Sequence, residues 1–442
     1  MLEDTIFALA SGAGRGGVAV LRISGPRAGA ALAGLTLQGL PAARRASLRR
    51  LFDAASGEAL DDALVLWFPG PDSFTGEDVA ELHVHGGRAV VGAITDVLSS
   101  VAGLRIARPG EFTRRAFANG RLDLAQAEGL GDLIEAETEG QRRQALRQLE
   151  GALSRQAEDW AQRLTQALAM LEADIDFPDE GLPKQLADSV LPSLAALSAD
   201  LIAHLASYRR GEGVREGFRI AIIGAPNSGK STLLNKLLGR EAAIVSETAG
   251  TTRDVIEGRI EIAGFPVWIS DTAGLHETDD PIEAEGVRRA LACAEGADLR
   301  LLVVDSTTEA PPPSHVTLAA GDLVLLNKMD KAGVTYPPTA SDTLRISAKT
   351  GQGITGLRAR LEQTVKERLA GDEAAPLTRA RHREAVSLAA EAVQRAQCAL
   401  PKGAELAAED LRLASRAIGR LTGRFDVEQV LDAVFSKFCI GK

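Results

Sequence analysis

The sequence predicts a multidomain chain of α/β plus all-α architecture, in which one α/β domain is inserted into a helical one. Three observations lead there. The chain has 442 residues, more than one ordinary core supports, so two or three domains are expected. Helical apolar spacing fills roughly 122–213, gives way to short β-branched runs that alternate with helical stretches, and returns after about 376. A glycine-rich loop, "GAPNSGKS", sits between a strand pattern and a helix pattern in the middle zone.

Each zone has its own signature. Residues 1–118 are strand-rich and glycine-rich: "GGVAVLRISG" and "DALVLWFPGP" are apolar or alternating runs between Gly and Pro breaks. Residues 119–214 form the first part of the helical domain. No proline occurs from Leu122 to Phe177, and Leu146, Leu149, Leu153, Trp160, Leu164, Leu168 and Leu171 recur at helical spacing before "DFPDEGLP". Residues 215–370 carry the strand candidates "RIAIIG", "VWISDTAG", "LRLLVVD", "DLVLLNKMD" and "LRISAKTG", as expected of a parallel-rich sheet wrapped by helices. Residues 371–442 are helical again, and Val427, Val430, Leu431, Val434, Phe435 and Phe438 make one apolar face running into "CIGK". Insertion is preferred over four domains in a row because the last zone would be a marginal bundle alone.

Composition narrows the function classes. Hydrophobic residues are 45% and charged residues 25%, as in a folded globular chain. Aromatics are 4%, which argues against an aromatic platform for single-stranded nucleic acid. The net charge of −10 gives no general attraction for nucleic acid, so such contact requires a local basic patch. The three cysteines, Cys293, Cys398 and Cys439, are far apart and form no CxxC pair, which fits a reducing compartment. The start "MLEDTIFALASGAG" lacks the basic opening of a signal peptide, and no run is read as approaching membrane length; a cytoplasmic protein without membrane contact is expected.

The middle zone carries five nucleotide motifs in order. In Gly224 to Ser231 the glycines let backbone N–H groups close on phosphates, Lys230 reaches the β- and γ-phosphates, and Ser231 reaches Mg²⁺. "AGTTRD" offers Thr251 and Thr252 to the metal. "DTAG" places Asp271 near Mg²⁺ and the Gly274 N–H near the γ-phosphate. "NKMD" supplies Asn327 and Lys328, with Asp330 as base reader: its carboxylate accepts two N–H bonds that guanine offers and adenine does not. "SAK" is Ser347, Ala348 and Lys349. Together they predict a Ras-like P-loop GTPase domain. Ras has a glutamine after "DTAG" to orient the attacking water; here the position is Leu275, leaving Asp279, Asp280, Glu283 and Glu285 as candidates.

With these segments assembled, the chain resembles the MnmE (TrmE) family of bacterial tRNA-modification GTPases over essentially its whole length. The resemblance rests on "GRGGVAVLRISG", "FPGPDSFTGEDVAELHVHGG", "RIARPGEFTRRAFANGRLDLAQAE", "AAIVSETAGTTRD" with the other GTPase motifs, and "FCIGK". It implies a homodimer whose GTPase domains meet in the presence of GTP and K⁺. It further implies a complex with the FAD- and NADH-using flavoprotein MnmG, a heterotetramer or larger, with FAD reaching the chemistry only through that partner. The reaction implied adds an aminomethyl-type group to C5 of the wobble uridine of certain tRNAs. Its one-carbon unit comes from 5-formyltetrahydrofolate or a related folate, and its nitrogen from glycine or ammonium.

The resemblance also assigns residues. Asn227, Ser228, Gly229, Lys230, Ser231 and Thr232 would bind GTP, as would Ser246, Glu247, Thr248, Ala249, Gly250, Thr251 and Thr252. Asp271, Thr272, Ala273, Gly274, Asn327, Lys328, Asp330, Ser347, Ala348 and Lys349 complete that set. K⁺ would be held by the Asn227 side chain, the carbonyls of Ser246 and Thr248, and the Thr251 hydroxyl; neutral oxygens suit this large ion. Ser231 and Thr252 would hold Mg²⁺, and Glu283 would orient the catalytic water. Arg22, Glu81, Arg121 and Lys442 would contact folate, with arginine at 121 where the family more often has lysine.

Three further features have competing readings. His83 and His85 share a strand face, and with no third ligand nearby in sequence they are read as packing or hydrogen-bonding residues. Arg105, Arg108, Arg114, Arg115 and Arg121 form a basic cluster, either a solvated face or a surface for folate or tRNA phosphates. Cys439 is expected at the end of the terminal amphipathic helix, docked near a folate held by the other subunit, either as a structural thiol or as a group of the chemistry. A class without modification chemistry, an RNA-binding or ribosome-assembly GTPase, is the alternative, and it needs neither the folate set nor "CIGK".

Overall fold

A computed structural model describes residues 4–12, 14–176, 186–239, 256–271, 292–308, 318–331, 343–371, 377–425, 428–436 and 438–441. In chain order the N-terminal elements are β1 (Thr5–Leu9), β2 (Gly16–Ser24), α1 (Ala28–Thr36), β3 (Ser47–Phe52), β4 (Ala59–Phe68), β5 (Val79–Gly86), α2 (Arg88–Ser100), β6 (Leu104–Ile106) and α3 (Glu111–Ala118). The helices α4 (Leu124–Glu135), α5 (Glu139–Leu149), α6 (Ala152–Asp176) and α7 (Leu186–Glu216) follow. Then come β7 (Phe218–Ile223), α8 (Lys230–Leu238), β8 (Ile256–Ile262), β9 (Phe265–Asp271), β10 (Leu299–Asp305), β11 (Leu323–Asn327), β12 (Thr343–Arg345) and α9 (Ile354–Leu369). The chain closes with α10 (Ala380–Ala399), α11 (Ala404–Thr422) and α12 (Glu428–Phe435).

Two compact units interleave along the sequence. One comprises Met1–Gly131, Gln148–Asp188 and Cys398–Lys442; the other comprises Asp132–Arg147 and Ser189–Gln397.

The first unit is built on a six-stranded sheet of order β3-β4-β5-β2-β1-β6, antiparallel except for β1 beside β6. Alternation in β4 turns Ala63, Val65 and Trp67 inward and leaves Asp62 and Leu64 exposed, the period of a strand with one buried face. The inward face packs Leu21, Ile23, Val65 and Leu82 against Leu32 and Leu98 of α1 and α2. On the other face a smaller cluster joins Ile6, Ala8, Ala107 and Phe112, with Phe74 alongside.

In the same unit α6 lies antiparallel to α11. Leu153, Trp160, Leu164 and Leu171 are buried on one, and Ala407, Ala408, Leu411, Ala414 and Ile418 on the other. Ion pairs Arg412–Glu172 and Arg424–Glu158 join the two helices in antiparallel order. The final helix is shorter than the apolar spacing predicts. It stops at Phe435, and Cys439 lies exposed beyond it. Phe435 is buried, its ring 6.3 Å from Phe117, and its backbone carbonyl sits so close to Gly110 that a side chain there would collide.

The second unit holds a sheet of order β12-β11-β10-β7-β9-β8, parallel except for the β8–β9 hairpin. Strand β8 was not among the sequence candidates. Its signal is the two-residue turn Ala263-Gly264, both at positive φ, which suits a tight hairpin. Leu233, Leu357 and Leu361 of α8 and α9 cover one face, and Ala221, Ile223, Leu302 and Leu326 pack on the other.

The expectation that no segment approaches membrane length requires correction. Val190–Glu216 of α7 is long and apolar enough to cross a membrane by length and composition. Its buried residues Val190, Leu194, Leu197, Leu201 and Tyr208 follow helical spacing, and Asp200 pairs with His204 on the same helix. That is the pattern of a core helix with one buried stripe.

The basic cluster read from "RIARPGEFTRRAFANGR" also divides. Arg115 is 1% exposed. It bonds the Asp4 carbonyl and carboxylate and contacts Glu77 and Glu111, so it is an internal tie and not a surface cation. Arg105 forks onto Glu111 and Asp4. Arg114 stays exposed and pairs with Asp432. Of the acids that neutralise the cluster, Glu111 lies inside the run, but Asp4, Glu77 and Asp432 are distant in sequence and could not be read from it. Burial pushes the Glu111 carboxyl up, but Arg105, the Arg108 amide and Arg115 outweigh it and hold it below its ordinary 4.5.

Arg115→Ala should therefore cost about 3 kcal/mol in urea denaturation, because it strands buried carboxylates. A carboxyl depressed on folding contributes stability above its unfolded pKa and loses it as pH falls. Denaturation midpoints should accordingly fall as pH drops below 4.5, and Glu111→Gln should flatten that slope.

Candidate functional site

The nucleotide motifs converge at the C-terminal ends of parallel strands, where the strand order reverses around β7. From the end of β7 the loop turns through Gly224 at φ +150°, Asn227 at φ +59° and Gly229 at φ +99°, and helix α8 begins at Lys230. A side chain at Gly224 would strike the Val303 carbonyl, and one at Gly229 would strike the Asn327 amide. Glycine is required at both by close approach as well as by φ.

Lys230 is buried, and its Nζ donates to the Gly224 and Ala225 carbonyls at 3.0 Å each. Burial pushes its pKa down and the nearby Asp271 partly restores it. The ammonium can exchange those neutral acceptors for phosphate oxygens. Ser231 Oγ lies 2.5 Å from Asp271 Oδ2. Asp271 is fully buried, and its Oδ1 has no hydrogen-bond partner among the described residues. A hydroxyl beside a buried carboxylate with an unsatisfied oxygen is the hard-oxygen corner that Mg²⁺ prefers.

On the opposite side Asn327 is buried; its Nδ2 donates to the Ser228 carbonyl (2.7 Å) and its Oδ1 accepts from the Ala348 N–H (2.9 Å). Lys328 Nζ donates to the Asn227 carbonyl at 2.6 Å. Asp330 Oδ1 accepts from the Ser347 hydroxyl at 2.6 Å, the leading cause of its lowered pKa. An ionised carboxylate held by one hydroxyl keeps lone pairs free for a base edge. Thr232 and Lys349 are exposed beside these loops. Ser246, Glu247, Thr248, Ala249, Gly250, Thr251, Thr252, Thr272, Ala273, Gly274, Glu283 and Lys442 lie outside the described residues.

Sequence reasoning missed Asp305, which ends β10 and forms an ion pair with Lys328 at 2.6 Å. Its signal was present: an acid closing an apolar strand, as Asp271 closes β9.

A second constellation lies in the N-terminal sheet. Arg22 of β2 and Glu81 of β5 are register partners, and Arg22 Nε donates to Glu81 Oε1 at 2.9 Å. The guanidinium also lies over the rings of Phe74 and Phe112, at 5.3 and 5.8 Å. Arg121 packs beside Gly76, with Asp72 at 3.9 Å, so Arg22 and Arg121 flank the same loop. Phe74 and Phe112 were not foreseen. His85 bonds Asp61 through both its amide and its ring, and His83 lies 3.5 Å from Glu81. The end of the chain arrives nearby: Gly441 is tight against the Leu9 carbonyl and Ala10. Ala8 and Leu9 of β1 are the register partners of Arg22 and Leu21. Residue 441 of the tail thus lies against β1 of the N-terminal sheet.

Fold and site define a P-loop GTPase domain inserted in a helical domain and joined to an N-terminal α/β domain. The chain belongs to the MnmE (TrmE) family of tRNA-modification GTPases. The MnmE helical domain profile matches residues 124–439, and the N-terminus of the GTP-binding protein TrmE matches 5–121. The tRNA modification GTPase MnmE of Phenylobacterium zucineum is 55% identical over 452 residues, covering 100% of both chains. That of Parvibaculum lavamentivorans is 54% identical, covering 99% of this chain and 100% of that one.

Asp330→Asn should weaken GTP binding about hundredfold and favour xanthosine triphosphate, whose C2 carbonyl accepts the new amide N–H. If Asp330 does not read the base, competition binding would leave the preference between the two nucleotides as in the wild type.

Proposed function

We propose that the chain is a K⁺-stimulated, dimerisation-activated GTP hydrolase acting with an MnmG-type flavoprotein to modify the wobble uridine of certain tRNAs at C5. The observation that carries this reading is the pairing of two sites in one chain: a nucleotide site at the β7 switch point and the Arg22–Glu81 constellation to which the C-terminal tail is brought. A GTPase that only binds RNA would need the first and not the second.

Lys230 and the N–H groups from Ser228 onward bind the phosphates, and Asp330, with Ser347, holds guanine. Ser231 and Thr252, with Asp271 behind, would hold Mg²⁺, which when bound would supply charge neutralisation for the phosphates. Asn227, Ser246, Thr248 and Thr251 would hold K⁺, which would supply the positive charge that Ras-type systems take from an arginine. The Asn227 side chain is exposed and makes no hydrogen bond among the described residues, which leaves it available for this role. Glu283 orients the attacking water.

In the N-terminal domain Arg22, Glu81, Arg121 and Lys442 bind a folate, whose contribution is the one-carbon unit. A carboxylate suits the N–H edge of a pterin and the cations suit its glutamate tail, while Phe74 and Phe112 offer ring faces. Cys439, which is exposed, acts as a structural thiol or as a group of the chemistry.

Hydrolysis is relayed to α5 through the β8–β9 hairpin, whose second strand ends at Asp271 of the nucleotide site. Its turn is bound to a helix: Gly140 N–H of α5 donates to the Gly264 carbonyl at 2.8 Å, and Arg259 of β8 pairs with Glu137.

GTP turnover should rise at least tenfold in KCl over NaCl at equal ionic strength, and Asn227→Ala should remove most of that rise. Equal turnover in the two salts would refute the potassium reading.

A further inference from the structure

Lys328 is held in a left-handed conformation, φ +68°, at the end of β11. Such a conformation costs a non-glycine residue roughly 1–2 kcal/mol, so something must hold it. Its ammonium has two acceptors, each at 2.6 Å: the Asn227 carbonyl of the phosphate loop and Asp305 Oδ2. Asp305 is itself fixed. Thr307 donates to its Oδ1 through both the backbone N–H (3.0 Å) and the hydroxyl (2.7 Å), which leaves Oδ2 to Lys328. The Ser306 N–H bonds the Asn327 carbonyl at 3.0 Å and sets the end of β10 against the end of β11. Burial pushes the Asp305 carboxyl up, but Lys328 and the Thr307 donors outweigh it and keep it below its ordinary range.

We infer that Asp305 is a positioning residue for the nucleotide site: its carboxylate holds the Lys328 ammonium against the Asn227 carbonyl and so fixes the left-handed turn of the phosphate loop. The inference rests on the reading of this site as a guanine-nucleotide site. A lysine head is compact and strongly hydrated on a flexible stem. Without the carboxylate it swings to solvent, and Asn227 loses the donor that anchors its peptide.

The test is a double-mutant cycle on the full chain, read by equilibrium binding of GDP to wild type, Asp305→Asn, Lys328→Ala and the double variant. Asp305→Asn is expected to weaken GDP about tenfold in the wild-type background and by less than twofold in the Lys328→Ala background, since its effect passes through Lys328. A residue that merely stabilises the fold would give the same loss in both backgrounds, and that additive result overturns the inference. Thr307→Val, which removes one donor to Asp305, is expected to weaken GDP about threefold. Should Asp305→Asn fail to fold, Thr307→Val decides, and unchanged affinity there overturns the inference. Wild type that does not bind GDP at all overturns the nucleotide reading and the inference with it. Wild type that binds GDP as tightly as Asp305→Asn overturns the inference alone.

Discussion

At the end of β11 the amide of Asn327 is 2% exposed, and both of its ends are bonded: the nitrogen to the phosphate-loop carbonyl of Ser228, the oxygen to the N–H of Ala348. One planar group thereby clamps together three loops that follow three different strands. Each loop alone carries polar backbone that the surrounding sheet cannot satisfy, so the clamp both satisfies those groups and fixes the loops' spacing. The close approach it demands explains Gly229, where a methyl group would strike the same amide.

Around that clamp the charges are arranged in pairs that share work. Lys230 faces Asp271 across the phosphate side, and Lys328 faces Asp305 across the base side. Each acid ends a strand buried in the sheet, while Lys230 opens helix α8 and Lys328 begins the loop after β11. The sheet therefore supplies rigid anions, and the loops supply the cations that can exchange partners when an anionic ligand arrives. The Asp271 oxygen without a partner is the complementary case, a buried acceptor left available to a metal.

The N-terminal sheet uses the same resource differently. Its second face carries only a small apolar cluster, and beside it Arg115, Glu77, Glu111 and Asp4 form an ion network around a buried guanidinium that ties α3 to the sheet. Beside this network the Arg22–Glu81 pair lies across neighbouring strands under two aromatic rings. The tail is brought to the same sheet because Phe435 and Phe438 must bury their rings, and they carry the last residues with them to β1.

The sequence alone determined the features that depend on local chemistry. The parallel strands were legible as β-branched runs, and the phosphate loop, "NKMD" and "SAK" as motifs with fixed offsets. The helical zones were legible from 3.6-residue spacing, because a buried stripe must repeat with the helix. The tertiary structure decided what depends on partners remote in the chain. Arg115 looked like a surface cation until Asp4 and Glu77 were placed against it, and Asp305 looked like the end of a strand until Lys328 was. The last helix could be read in kind but not in length, since its end is set by Gly110 and Phe117 closing on Phe435 and not by its own apolar spacing. Periodicity reports which face of a segment is buried; what buries it, and which charges are thereby cancelled, is a property of the folded chain.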